Sequence, residues 1–319
     1  MRQPPRPRNR VRPLAALGSA LALASFTALA SAPSAAADGV LPVPYSVATA
    51  VAAGNAAPNT PPPGANDWSC RPGSAHPRPV VLIHGTFANE RLNWDSLSPL
   101  LHNNGYCVFT FNYGSEGIDP VNDGLGPIEN SAVELRDFVD QVLAATGVSQ
   151  VDLVGHSQGG GPLPRYYLKY LGGTPKVHTL VGIGPTNHGG TVSGFATFEQ
   201  YLNSIGVGAP LNLTTLACPA CTEQFTGSSF LAGLNAGGDT RPGVHYTVIA
   251  SRYDEVAPPS ADFLTGTDVT DITLQDGCSI DLSGHAELTF RPRALALVLN
   301  ALDPAHPQFV PCLAVPFTG

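Results

Sequence analysis

The sequence predicts an α/β chain: a mostly parallel central sheet with helices on both faces. Three observations predict it. Short apolar runs alternate with longer stretches of helical spacing, which is the pattern of strand–helix–strand units. Several of those runs are apolar throughout, as expected of strands buried on both faces. Glycine and proline stand at the ends of the helical stretches, where helices begin and stop.

The elements follow in order. Pro79-Val-Val-Leu-Ile83 is a first strand, and 94–103 has helical spacing that stops at Gly105. Tyr106-Cys-Val-Phe-Thr-Phe111 is a second strand. A long helix spans 127–146, with proline near its start, an apolar stripe from Leu135 to Leu143, and Gly147 after its end. A strand over 150–154, a helix over 158–170 and a strand over 177–183 come next. Strands over 244–250 and 269–274 and a helix over 293–302 complete the alternation. The stretch 186–234 interrupts it. That stretch carries many large apolar residues, Phe195, Phe198, Tyr201 and Leu202 among them. A long insertion of this kind reads as a cap or lid whose apolar side faces a cleft, or as a helical insertion with its own core contacts.

The N-terminus has a different character. Five arginines and no acid precede an apolar run from Leu14 to Ala30, and the small residues Ser34-Ala-Ala-Ala37 follow. Charged, apolar and small-residue regions in that order describe a secretory signal peptide over 1–37, with cleavage after Ala37 and Ala30 as the second choice. The Ala-, Pro- and Asn-rich segment 38–67 reads as a surface arm, which leaves 68–319 as one catalytic domain. The expectation is a secreted, extracellular monomer with no transmembrane segment. The formal net charge is −8, and Lys169 and Lys176 are the only lysines. An acidic surface so poor in lysine excludes nucleic-acid binding, which needs clustered cations. Six cysteines in an exported chain imply disulfides, though spacing alone leaves their connectivity open. Cys218-Pro-Ala-Cys221 lies in the insertion, away from the setting of a redox motif, and reads as a structural clasp.

The chemistry concentrates in Gly155-His-Ser-Gln-Gly159, a G-x-S-x-G that follows an apolar strand and opens a helix. A serine in that context sits on a strained turn with its hydroxyl held above the sheet edge, the nucleophile elbow of an α/β-hydrolase fold. The flanking glycines are required because neighbouring backbone comes too close for a Cβ. Ser157 is therefore the candidate nucleophile. A serine hydroxyl needs a base, and the base an orienting acid, later in the chain. Of nine histidines, His285 in Ser283-Gly-His-Ala286 sits in a loop before the terminal helix and is the candidate base. His245 starts a strand, His306 lies beyond the last helix, and the sharp turn points His156 away from the serine. Asp254, just past the 244–250 strand, is the candidate acid, with Glu255, Asp276 and Asp281 as rivals. Backbone N–H groups of Thr86 and Gln158 are the candidate oxyanion donors, and His84 a structural support for the first loop.

Several further motifs occur in the same order. They are Val80-Val-Leu-Ile-His-Gly-Thr86, Asn93-Trp94, Gly105-Tyr-Cys-Val108, Phe111-Asn-Tyr-Gly114, Val154-Gly-His-Ser-Gln-Gly-Gly160, Pro164-Arg-Tyr-Tyr-Leu-Lys169 and Asn187-His-Gly189. Through them the chain, from about Cys70 onward, resembles the actinobacterial class 2 extracellular lipases. It is more distantly similar to fungal lipase B. That resemblance implies an acid loop at Tyr253-Asp-Glu-Val256, oxyanion donors at Thr86 and Gln158, and disulfides Cys70–Cys107, Cys278–Cys312 and, by what is left, Cys218–Cys221. Gly155-His156 stands where lipase B has a Thr-Trp pair, and the cap sequence also differs.

The expected function is a serine carboxylic-ester hydrolase, a triacylglycerol lipase acting through Ser157, His285, Asp254 and an acyl-enzyme. No cofactor is expected, and no cluster has the spacing of a metal site, although scattered calcium ligands leave no mark in sequence. The expected partner is a lipid or other apolar ester, met at an oil–water interface. The rivals are a polyester-degrading esterase or acyltransferase with the same triad, and a non-catalytic binding protein on a hydrolase scaffold.

Overall fold

Six short runs pair as the strands of one sheet, and every pairing is parallel. They are β1 (Val80–Ile83), β2 (Val108–Thr110), β3 (Val151–His156), β4 (Val177–Ile183), β5 (His245–Ala250) and β6 (Val269–Thr273). The computed structural model describes Met1, Arg2, Pro4 and residues 39–115, 117, 119–208 and 218–314. Most of the segment expected as a signal peptide and part of the insertion therefore lie outside the described residues. The chain divides into two units, Met1–Ala37 and Asp38–Gly319, and the second holds the sheet.

The strand order is β2-β1-β3-β4-β5-β6. The chain moves one way across the sheet from β1 to β2 and the other way from β3 onward. Loops leaving β1 and β3 diverge at that reversal, which is where open parallel sheets form their crevices. The ends of β1 and β3 are in register, with Ile83 opposite Gly155.

Continuous apolar strands follow from burial on both faces. Val81, Ile83, Leu153 and Leu180 face one cluster, and Val80, Leu82, Val154 and Val181 face the other. Ten helices cover the sheet among the described residues. They are α1 (Val47–Ala56), α2 (Glu90–Trp94), α3 (Leu97–Asn103), α4 (Ile128–Thr146), α5 (Pro162–Tyr170), α6 (Val192–Ile205), α7 (Pro219–Glu223), α8 (Ser229–Asn235), α9 (Pro259–Asp262) and α10 (Pro292–Leu302). Leu135, Val139 and Val142 of α4 and Leu163 and Tyr167 of α5 pack on the first face. Leu97 and Leu101 of α3 and Leu295, Val298 and Leu299 of α10 pack on the second. Gly147 ends α4 in the left-handed conformation, and its N–H bonds the Leu143 carbonyl.

Three local readings change. The helix expected over 94–103 is two helices, broken between Trp94 and Leu97. A continuous helix would drive the Pro99 ring into the Asp95 carbonyl and leave that carbonyl without its bond. The helix expected from Gln158 opens instead as a tight 3-10 turn over Ser157–Gly160, and α5 begins at Pro162. Gly161 precedes that proline and is kept out of the helical region, at φ −131° and ψ −98°. The segment expected as an arm carries α1, whose Ala50, Val51 and Gly54 are buried. It is tied to the domain by Asn103 bonding both backbone groups of Leu41 and by Ser98 donating to Pro63.

Cys70 is bonded to Cys107, Cys218 to Cys221 and Cys278 to Cys312. The last bridge closes a separation of 34 residues around α10. Replacing Cys278 and Cys312 together by Ser should cost roughly 3 to 4 kcal/mol in the chain-entropy account. An unchanged thermal midpoint in the double variant would show that the bridge constrains little.

The turn after β3 is held by contact of bare backbone. A Cβ on Gly155 would strike the Gly159 carbonyl, and one on Gly159 would strike the carbonyls of Ile83 and His84 at the end of β1. These obstacles are backbone atoms fixed in the sheet, so they cannot rotate aside. Gly159→Ala should destabilise by at least about 1 to 3 kcal/mol, the usual cost of overpacking. A denaturant midpoint equal to that of the parent would contradict this packing.

Candidate active site

The loop that follows β1 is built from polar anchors. His84 is fully buried, its ring stacks on Tyr113, and its Nδ1 lies 2.8 Å from the Gly85 carbonyl. Burial lowers its pKa to about 4, so the ring is neutral and Nδ1–H donates to that carbonyl. The Tyr113 hydroxyl donates to the His84 carbonyl at 2.5 Å. Gly85 N–H donates to Asn93 Oδ1 at 2.9 Å, which gives the Asn93-Trp94 motif its physical meaning. The Thr86 hydroxyl oxygen accepts from the Gln158 amide at 2.8 Å and from the Gln224 amide at 2.9 Å. Both lone pairs are then occupied, and the Thr86 loop is pinned to the elbow and to the end of α7. Gln224 is fully buried, and nothing in the sequence singled it out.

Ser157 follows β3 at φ +55°, in the left-handed region that a side chain adopts only under constraint. The glycine contacts described above supply the constraint. A Cβ on Gly85 would lie 3.1 Å from both His156 Nδ1 and Ser157 Cβ, so the β1 loop passes directly against the serine.

The loop after β5 presents Asp254. Its Oδ1 accepts the N–H groups of Val256 and Ala257, each at 2.9 Å, which freezes the carboxylate. Its Oδ2 lies 2.6 Å from His285 Nδ1, with both side chains fully buried. The Ser251 hydroxyl donates to the Ser283 carbonyl at 2.7 Å and joins the acid loop to the base loop. Burial alone would lower the His285 pKa. The Asp254 charge and hydrogen bond, and then the Glu255 charge, outweigh it and raise the pKa above 6.5. The other ring nitrogen, Nε2, is buried and has no hydrogen-bond partner.

His156 is fully buried as well. Its Nε2 lies 3.1 Å from the His285 carbonyl oxygen and its Nδ1 3.2 Å from Asn93 Oδ1. Burial holds its pKa well below the usual range. As a neutral ring it carries one N–H, which can donate to only one of these two oxygens, and it packs between the loops of Asn93 and His285. Because His156 precedes Ser157 in the chain, this packing also places His285 beside the elbow.

The remaining candidates are elsewhere. Asp276 pairs with Arg252 at the surface, and Asp281 accepts from Ser283 within its own loop. His245 begins β5, and His306 is exposed beside Asp303. Glu255, a rival for the acid, instead accepts the backbone N–H of His285 at 2.9 Å. Among the described residues no group of His, Cys, Asp and Glu is arranged to hold a metal ion.

The insertion reaches this site through α6. The Phe198 ring meets the His285 ring edge-to-face, with centroids 5.0 Å apart. Phe198, Leu202 and Ile205 join Val47 and Val51 of α1 around an apolar pocket of about 30 Å³ that touches Thr86 and His156. A much larger cleft, about 760 Å³, lies at the opposite edge of the sheet around Arg78, Asp152, His178 and His245, far from this chemistry.

Residues 77–297 match the family described as lipase (class 2). Triacylglycerol lipases of Pseudarthrobacter phenanthrenivorans and Burkholderia plantarii are each 35% identical over 127 residues, 38% of this chain. Those residues span 36% and 32% of the two relatives, so the chain matches about a third of their length. Aspergillus fumigatus lipase B superposes with a TM-score of 0.58 at 19% identity, over 79% of this chain and 57% of that one. The mature form of Bacillus licheniformis lipase BlEst2 superposes with a TM-score of 0.53 at 14% identity, over 73% and 94%. At these identities the two structures establish a shared fold, the α/β-hydrolase fold, and the family match covers most of the sheet and its loops: the chain belongs to the class 2 lipase family.

Proposed function

We propose that the protein is a secreted serine carboxylic-ester hydrolase, a triacylglycerol lipase, with Ser157 as nucleophile, His285 as base and Asp254 as orienting acid. One observation carries the reading. The His285 ring is bonded at 2.6 Å through Nδ1 to a frozen carboxylate, its Nε2 has no partner, and it packs against the ring of His156, the residue that precedes a serine held at φ +55°. The names of the curated relatives support the ester class. The arginine-rich, apolar and small-residue order of 1–37 supports secretion.

The chemistry follows from those positions. Asp254 accepts the Nδ1–H, which leaves the Nε2 lone pair free to take the Ser157 proton. Oγ attacks the ester carbonyl. The oxyanion is met by the N–H groups of Thr86 and Gln158, the second of which lies in the first turn of a helix and has no intrahelical acceptor. The imidazolium then protonates the departing alcohol, and water attacks the acyl-enzyme through the same base. The apolar pocket beside Thr86 is the acyl site of this reading. Phe198 and Leu202 of α6 line it, which is the cap role proposed for 186–234.

Ser157→Ala should abolish triglyceride and soluble-ester hydrolysis and labelling by a fluorophosphonate, with an unchanged melting curve. Turnover near that of the parent in the folded variant would end the proposal. Acylation needs neutral His285, and its pKa is raised, so kcat/KM should climb with pH along a limb centred above 6.5. Asp254→Asn should reduce kcat by about four orders of magnitude, because the wrong tautomer is then favoured. A pH-independent kcat/KM between pH 5 and 9, or a harmless Asp254→Asn, would remove the assignment.

A further inference from the structure

Consecutive backbone N–H groups in the base loop are each taken by a carboxylate. Gly284 N–H donates to Glu287 Oε2 at 2.7 Å, and His285 N–H donates to Glu255 Oε2 at 2.9 Å. The two oxygens flank Gly284 so closely that a Cβ there would lie 2.9 Å from Glu255 Oε2 and 3.4 Å from Glu287 Oε2. The two acids differ in what answers their charge. Glu287 is buried, its Oε1 accepts from the Tyr201 hydroxyl at 3.1 Å, and Arg291 lies 3.9 Å away. Glu255 is half-buried, and among the described residues no lysine or arginine forms an ion pair with it.

The local chain explains how Glu255 arrives there. Asp254 Oδ1 caps the N–H groups of Val256 and Ala257, so the chain turns tightly at 254–257. Adjacent side chains then reach the same histidine, Asp254 at the ring and Glu255 at the backbone. We propose that Glu255 is a positioning residue of the catalytic base: by accepting the His285 backbone N–H it holds the imidazole in register with Asp254, and its negative charge stands beside the cation that forms during acylation. This rests on the triad reading given above.

The groups facing His285 leave that charge a distinct role. Asp254 faces the ring nitrogen, neutral His156 faces the carbonyl, Phe198 covers the ring and Ser157 lies at the elbow. Glu287 meets the loop one residue earlier and already has Arg291. The Glu255 pKa is raised: burial, with the Asp254 charge, outweighs the His285 charge and backbone N–H that pull it down. The same charge contributes to the raised pKa of His285, after Asp254. A group that both places the base and favours its protonated form makes two separable predictions.

The test compares Glu255→Gln, Glu255→Ala and Glu287→Gln in the full-length secreted protein. Each variant is followed by kcat and KM on a soluble ester across pH 5 to 9 and by its melting curve. Glutamine keeps an acceptor for the N–H and removes the charge. Its acidic limb in kcat/KM should move down by roughly 1 in pH, the lower end of the range for a nearby charge. Alanine removes both. Its plateau kcat should fall at least about ten-fold with KM within about three-fold, as expected when a catalytic group loosens by a fraction of an ångström. Glutamine should restore most of that plateau without restoring the limb. An unmoved limb in Glu255→Gln, or an equal shift in Glu287→Gln, would overturn the inference. So would an alanine plateau equal to that of the parent. If alanine does not fold, the glutamine limb alone decides. Active-site titration with a fluorophosphonate separates the two levels. Loss of the Ser157 reading appears as turnover without a titratable serine, whereas loss of this inference leaves the titration intact.

Discussion

The site depends on backbone lying against backbone where β3 turns into its helix. Gly155 and Gly159 allow the turn to close against itself and against the ends of β1, with no side chain between. Only at that separation can Ser157 be held at φ +55° and the β1 loop pass against the serine. A strained residue persists when its surroundings over-determine it. Here the surroundings are two adjacent parallel strands, in register at Ile83 and Gly155, which cannot move apart without breaking the sheet.

From that fixed point the other groups are reached by short polar links between loops. Asn93 holds Gly85, and His156 packs between the loops of Asn93 and His285. The amides of Gln158 and Gln224 meet on the Thr86 hydroxyl. Ser251 ties the loop of Asp254 to the loop of His285. Each link is buried, where a missing partner costs more than the bond itself contributes. The loops therefore behave as one polar unit over an apolar sheet, and α6 closes its apolar side through Phe198.

Charge is distributed with the same economy. The neutral rings of His84 and His156 serve as linkers because burial disfavours their charged forms. His285 is equally buried, yet Asp254 and Glu255 favour its protonated form. Three buried histidines in one site are thus divided by the carboxylates beside them into two whose pKa is lowered and one whose pKa is raised.

The sequence by itself determined the layering, the six strands and the position of the elbow. Those features are local: short apolar runs between glycine- and proline-bounded helical stretches read as strands buried on both faces, and a G-x-S-x-G between strand and helix has few other uses. Family membership was legible for the same reason, since its motifs are short and ordered along the chain. The break between α2 and α3 was legible in principle, through Pro99, but helical spacing masked it. Pairings across long sequence separations were not legible. Glu255 and Asp254 are neighbours of one residue type, and only the direction in which the turn at 254–257 sends each side chain separates a ring partner from a backbone partner. Gln224 lies 138 residues from Thr86, and Glu255 lies 30 from His285. A hydrogen bond leaves no periodicity in sequence. It exists because the sheet brings several loop ends to one edge, and that convergence is decided by the tertiary structure alone.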